Sequence, residues 1–176
     1  NTEALELYKK LGFEQVYVEK FIETLRRADP ESVDAFLEYQ SRYREIGKIV
    51  IARTIIKYEN ENNLINNRDW YQYLFSKLRT DFNSFGENKI GVITFNYDRS
   101  LEHFLFEKIM NTYQDISELQ CAETISKIPI IHIYGQVGYL PWQTKEPKRN
   151  YSPTIDLDQL KVCSNKIRII HEATND

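Results

Sequence analysis

The chain has 176 residues and a formal net charge of −3, with its charged side chains scattered along the whole length. That length is enough for one domain with a substantial core, or for part of one. The sequence has no basic block of the kind that a nucleic-acid groove requires and no apolar run near the roughly 20 residues of a membrane span. Its two cysteines form no CxxC pair, which excludes a four-cysteine zinc site within these residues. We therefore expect a cytoplasmic protein with no metal, no membrane contact and no direct nucleic-acid binding.

Helices are predicted through the first half of the chain. Apolar residues recur at helical spacing through residues 1–28, and Gly12 is expected to divide that stretch into two helices. Asp29-Pro30 is typical of a helix start, with the Asp as N-cap and the Pro at the first helical position. Residues 45–61 predict a well-buried helix, because its apolar side chains lie on several faces.

A polar stretch precedes the next predicted helix. Residues Asn62 to Arg68 are rich in Asn and predict a loop, and the preceding Glu59 and Glu61 are expected at a solvated helix end. Asp69 is expected to cap a further helix. The side chains expected on the core side of that helix are those of Trp70, Tyr71, Leu74, Phe75, Leu78 and Phe82.

Two short apolar runs, 89–95 and 128–134, contain β-branched residues and predict strands of a parallel sheet buried on both faces. A helix from about Arg99 to Thr112 separates them. Strand, helix and strand in this order form a βαβ unit, which places both strand ends at one edge of the sheet. Ligands of open α/β sheets bind at that edge.

The remaining C-terminal part reads as a surface loop over 141–158 and a helix from about Leu160 to Ala173. The predicted fold is α/β, a Rossmann-like parallel sheet flanked by helices with a helical insertion. Its parts are a helical segment (about 1–85), a βαβ core (about 88–140) and a loop with a C-terminal helix (about 141–176). We expect an incomplete domain, because the chain opens on Asn and ends without a closing strand.

Each predicted strand ends in a polar motif, Thr94-Phe95-Asn96-Tyr97-Asp98 after the first and His132-Ile133-Tyr134-Gly135 at the second. Taken alone, each motif has an ordinary structural interpretation. In the first, Asp98 caps the next helix and Asn96 satisfies the turn backbone. In the second, the histidine is bonded in the core and the glycine permits a turn. His103, His171 and Trp142 are more typical of solvated or packed side chains.

Together the two motifs have a more specific counterpart. The first resembles the Thr-x-Asn-Tyr-Asp sequence of sirtuin-like domains in bacterial anti-phage defence proteins. Arg99-Ser100-Leu101-Glu102 is similar to the start of that family's next helix, and Ile131 to Gly135 lies where the family's His-Gly strand is expected. The similarity covers roughly residues 30–142.

The resemblance implies an NAD hydrolase that cleaves its substrate NAD to nicotinamide and ADP-ribose without a metal. It implies that Asn96 positions the ribose and the attacking water, that Asp98 lies near the nicotinamide, and that His132 or Tyr134 also acts in catalysis. Thr94, Phe95, Tyr97 and Gly135 complete the expected NAD-binding residues. The implied setting is a bacterial cytoplasmic protein that depletes NAD during phage infection. It would act with other domains or subunits of a defence complex, usually as a homo-oligomer.

Two departures from the family pattern bear on this function. No Gly-x-Gly occurs, so the phosphate-binding loop is expected to precede residue 1 or to be missing. The residue directly before Gly135 is Tyr134 rather than His. Because Tyr titrates near about 10 and His near about 6.5, Tyr134 is a poor base at neutral pH. His132, two residues earlier and on the same strand face, is the better candidate, while Tyr134 could instead contact the nucleotide.

Two other functions are considered beside NAD hydrolysis. A sirtuin-type protein deacylase would use the same Asn and His chemistry, but such enzymes usually add a zinc module with paired cysteines. A catalytically silent module that binds NAD or ADP-ribose would explain the tyrosine at the expected base position.

Overall fold

A computed structural model describes residues 2–66 and 70–169, which form a helix-rich α/β fold. The helices and strands of the described part follow in chain order. They are α1 (Thr2–Lys10), α2 (Gln15–Ala28), α3 (Val33–Tyr39), a 3-10 helix (Ser41–Tyr43), α4 (Arg44–Lys57), α5 (Glu61–Asn66), α6 (Trp70–Leu78), α7 (Phe82–Phe85), β1 (Val92–Thr94), α8 (Ser100–Thr112), α9 (Glu118–Ser126), β2 (Ile130–His132) and α10 (Leu157–Ser164).

The N-terminal helices confirm the predicted division at Gly12, which has a φ of +94° that glycine adopts readily. The predicted helix start at Asp29-Pro30 is wrong. Asp29 instead ends α2 in the left-handed conformation, with a φ of 40°, and donates its N–H to Leu25 O. The cap of α3 is Ser32, whose side chain accepts from Ala35 N at 3.1 Å. Asp suits both ends of a helix, so the residue type did not decide between them.

The structure differs from three further predictions for the region around α5 and α6. The buried helix predicted over 45–61 is confirmed as α4 but ends at Lys57, and the predicted loop after it contains α5. The Asn60 side chain accepts from Asn62 N at 2.9 Å and so stabilises the start of α5. Trp70 is 56% exposed rather than on the core side. The predicted cap Asp69 lies outside the described residues.

The two strands pair in parallel, with Val92 opposite Ile130 and Thr94 opposite His132, and this confirms the predicted βαβ unit. The strands are shorter than predicted, and the connection contains α9 as well as α8. One face of the pair, with Val92 and Ile130, packs against a core cluster formed mainly by α6, α8 and α9. A second cluster joins α1–α4 to α10 and reaches the strand ends through Tyr97.

The prediction that both faces of these strands are buried is wrong for the described residues. Ile93 and Ile131 lie side by side on the second face and are 67% and 50% exposed. Phe95 and Ile133 extend the same apolar face and are also exposed. The sheet therefore has one packed and one open face.

The C-terminal part is more closely packed than a surface loop. Tyr139 and Lys148 form a parallel bridge, and Leu140 and Arg149 are buried. The predicted helix from Leu160 to Ala173 begins earlier, as α10, and ends at Ser164. Residues 165–169 continue without helix, and the rest of the predicted helix lies outside the described residues.

Candidate active site at the strand ends

Asn96 lies in the turn that directly follows β1. Its backbone N–H donates to Thr94 Oγ1 at 3.1 Å, which closes a local turn at the strand end. The residue is exposed. The turn thus presents the amide side chain at the carboxyl edge of the sheet, where the sequence places it.

His132, at the end of β2, contacts the Asn96 turn directly. Its Nδ1 lies 2.7 Å from the Asn96 backbone oxygen, and its Nε2 lies 2.8 Å from Glu102 Oε1. The His132 and Glu102 side chains are each 4% exposed. The two predicted motifs therefore meet at one edge of the sheet, through a buried ring that joins the strand ends.

The bonding pattern defines the charge of this ring. A carbonyl oxygen and a carboxylate both accept, so both ring nitrogens must carry a proton to satisfy both contacts. Burial alone would lower the pKa of His132, but the hydrogen bond and charge of Glu102, together with the Asn96 carbonyl, raise it above its ordinary value. These contacts favour the protonated ring, which can donate to both partners and so position the Asn96 turn. To accept a proton it would first have to release one of these bonds.

The raised pKa of His132 predicts a pH-dependent contribution to stability. A raised folded-state pKa stabilises the protein fully below the unfolded value of about 6.5, and this stabilisation is lost as the pH rises through the folded value. We expect His132→Gln to lower the melting temperature most at acidic pH, with the gap from wild type narrowing above neutrality. Thermal unfolding of both proteins from pH 5.5 to 9 measures that gap. A gap that stays constant across this range would contradict the assigned imidazolium.

Tyr97 and Asp98 occupy packed positions beside Asn96. The Tyr97 hydroxyl donates to Asp34 Oδ2 at 2.8 Å and lies 3.1 Å from Arg168 O. Asp98 Oδ1 accepts at 3.0 Å from the N–H of Ser100, the first residue of α8, although the N-cap position itself is Arg99 rather than the predicted Asp98. These contacts fix the path of the chain from β1 into α8 and leave Asn96 as the exposed polar side chain of its motif.

Aromatic side chains flank Asn96 on the open side of the sheet. The Phe95 ring is 64% exposed, and its centroid lies 5.8 Å from that of Tyr134. Tyr134 is half-buried and packs against the second core cluster, which joins α1–α4 to α10. Gly135 follows with a φ of +79°, and a Cβ there would lie 2.0 Å from Lys166 O. Close approach of the C-terminal segment accounts for this glycine.

A buried charge cluster lies behind the Asn-Tyr-Asp motif, and the sequence did not reveal it. Glu59, predicted at a solvated helix end, is only 1% exposed. Arg99 donates to Glu59 through Nε at 3.0 Å and Nη2 at 2.6 Å, and Arg149 forms a second ion pair with the same carboxylate. Arg99 also donates to Tyr139 O at 3.0 Å. The cluster anchors the 139–150 segment behind the start of α8.

The sequence offered little sign of these partners. Glu59 lies 40 residues from Arg99 and 90 from Arg149, so no local spacing links them. Glu102 stands in the Arg99–Glu102 run that resembles a family helix start, but nothing local pairs it with His132. The one usable signal was the position of Glu102 in the first turn of a helix that follows a strand, because the first turn of a helix favours a carboxylate.

No protein-family model, curated protein or solved structure matches this chain. Among the described residues, no group of three or more His, Cys, Asp or Glu side chains could hold a metal ion. Within the same residues, every helix is too short or too polar to cross a bilayer.

Proposed function

We propose that the chain is part of a Rossmann-like, sirtuin-related NAD hydrolase whose site lies at the carboxyl ends of β1 and β2. The observation that carries the proposal is the contact between the two motifs, with the His132 ring 2.7 Å from the Asn96 carbonyl. This contact holds an exposed amide at the edge where α/β sheets bind their ligands. The resemblance of Thr94–Asp98 to the Thr-x-Asn-Tyr-Asp motif supplies the identity of the substrate.

The proposed reaction breaks the bond between the nicotinamide nitrogen and C1′ of the ribose. The bonding electrons leave with nicotinamide, water adds to the oxocarbenium-like C1′, and one proton is released as ADP-ribose forms. Such a step depends mainly on positioning and electrostatic support. Asn96 orients the ribose and the water, while His132 acts as a positioning residue through the Asn96 backbone. The attacking water loses its proton to solvent, and turnover is slow.

The predicted NAD-contacting residues divide by their surroundings. Two of them, Thr94 and Phe95, lie at the end of β1, and Gly135 lies just after β2. The Tyr134 ring lies beside that of Phe95. Asp98 borders a cavity of about 440 Å³ that also touches Ser100 and Tyr151. The family resemblance extends the proposal to a bacterial cytoplasmic defence protein that depletes NAD, with further domains or subunits and a homo-oligomeric assembly.

A silent NAD- or ADP-ribose-binding module is the second candidate. The observation in its favour is that both nitrogens of His132 are engaged within the protein, which leaves no ready base at the strand ends. A protein deacylase gains no comparable support from the site.

Nicotinamide release separates the two candidates. Full-length protein is incubated with NAD, nicotinamide is quantified by chromatography, and NAD binding is measured by calorimetry. Release above the uncatalysed rate supports the hydrolase, and binding without release supports the silent module. If the protein neither binds NAD nor releases nicotinamide, both candidates are overturned.

A further inference from the structure

A cavity of about 460 Å³ lies between α9, the residues that lead into β2 and the 136–145 segment. Four of the residues that line it are buried in the folded chain. Two are aliphatic, Ile125 and Ile128, at 2% and 3% exposure. The other two are polar, Glu102 at 3% and Gln136 at 6%. The buried wall of the cavity therefore combines an apolar surface with a carboxylate and an amide.

Glu102 leaves one of its carboxylate oxygens open to this cavity. Its Oε1 lies 2.8 Å from His132 Nε2. The second oxygen, Oε2, accepts no hydrogen bond from any described residue, and it is not among the atoms that are sealed from solvent. Because the side chain is 4% exposed and lines this cavity, Oε2 meets solvent there. An occupant of the cavity can therefore donate to it without displacing His132.

Gln136 offers a second acceptor of the same kind. Its Nε2 donates to Gly138 O at 2.9 Å, which fixes the orientation of the amide. Its Oε1 accepts from no residue in the described part of the chain and, like Glu102 Oε2, is not sealed from solvent. Both open oxygens belong to buried side chains, and a polar group in such a place gains most from a partner. The cavity thus calls for an occupant that donates.

Charge and donor count narrow the class of occupant. The Glu102 carboxylate is already paired with the His132 ring, so a second cation would leave an excess positive charge in a buried place. An aliphatic amine is such a cation, since an alkylammonium such as that of Lys titrates near about 10.4. A hydroxyl offers one proton for two acceptors. An amino group on an aromatic ring is uncharged at neutral pH and offers two N–H donors.

From the two open oxygens and the apolar surface beside them, we infer that this cavity binds a small neutral aromatic amine. Its amino group donates to Glu102 Oε2 and Gln136 Oε1, and its ring lies against Ile125 and Ile128. The volume of about 460 Å³ falls within the range of small-molecule sites, about 300–1,000 Å³. Because Glu102 also holds His132, the occupant would lie next to the pair that positions the Asn96 turn.

The probes are aniline, toluene and benzylamine, which share one benzene ring. Toluene replaces the amino group of aniline by a methyl group, and benzylamine carries an ammonium at neutral pH. Binding of each to the full-length protein is measured by NMR titration. Aniline is expected to bind at least about tenfold more tightly than either of the others, because it alone forms both hydrogen bonds without adding a buried charge. Absence of aniline binding, equal binding of aniline and toluene, or tighter binding of benzylamine would each overturn the inference.

Two variants locate the site. Gln136→Leu removes one acceptor and should reduce the preference for aniline over toluene by about fivefold, whereas Gln114→Leu, at an exposed position between α8 and α9, should leave that preference unchanged. Ala122→Phe enlarges a half-buried side chain in the cavity wall and should abolish aniline binding. An unchanged preference in a folded Gln136→Leu protein, or wild-type aniline binding by Ala122→Phe, would place the ligand elsewhere and contradict the inference. These readouts do not involve NAD turnover, so they are independent of the proposed function.

Discussion

Replacing Asn96 by alanine is expected to slow nicotinamide release from NAD by about 10²–10³-fold, the range typical of losing one preorganised polar group at a reacting centre. The substitution should leave the fold intact, because the side chain is exposed and His132 bonds to the backbone carbonyl rather than to the amide. The rate is measured by chromatography of nicotinamide under single-turnover conditions. Thermal unfolding of the variant should match wild type within about 0.5 kcal/mol.

Asn83→Ala provides the matched control. Asn83 is also exposed, lies in α7 and has no place among the strand-end residues. Its variant should release nicotinamide at the wild-type rate. Equal rates for wild type and Asn96→Ala would remove Asn96 from the reaction and, with it, the proposed enzyme.

Replacing Glu59 by glutamine is expected to destabilise the protein by about 3–5 kcal/mol, the cost of leaving buried charge without its counter-ion. Glu59 is 1% exposed, and it faces the guanidinium groups of Arg99 and Arg149, which are 0% and 5% exposed. The glutamine keeps the size of the side chain but leaves both cations uncompensated. Urea denaturation measures the loss as a lower midpoint.

Glu87→Gln is the control for this loss of charge. Glu87 is exposed in the turn after α7, and its variant should change the free energy of unfolding by no more than about 0.5 kcal/mol. A Glu59→Gln midpoint equal to that of the control would mean that the buried cluster does not stabilise the fold.

The sequence predicted the βαβ unit because its signals are local and consistent. Two β-branched runs enclose a long helical pattern, and a connection of that length makes the strands parallel. The two polar motifs were correctly expected at the carboxyl edge of the sheet, although the strands end earlier than predicted, at Thr94 and His132. The meeting of Asn96 with His132 followed from topology alone.

Local signals failed where one residue type serves two purposes. Asp29 could begin one helix or end another, and the Asn-rich stretch after Asn60 could be a loop or a short capped helix. The open face of the sheet was missed for a related reason, because apolar character at Ile93 and Ile131 shows that a residue can be buried and does not show what buries it.

Polar contacts between residues far apart in the chain could not be predicted from the sequence. Glu102 pairs with His132 from α8, and Glu59, just after α4, pairs with two arginines. Each contact joins residues at least 30 positions apart and depends on the finished fold. As a result, the placement of Asn96 and His132 at one edge of the sheet was predictable, while the hydrogen-bond partners of His132 were not.

A crystal structure of the full-length protein with ADP-ribose tests the strand-end site most directly, because this product keeps the ribose and both phosphates but cannot be cleaved at the nicotinamide bond. We expect a ribose hydroxyl within about 2.7–3.2 Å of the Asn96 side-chain amide, with His132 still bonded to the Asn96 carbonyl. ADP-ribose bound away from the ends of β1 and β2, or an Asn96 amide that does not touch it, would contradict the proposed function.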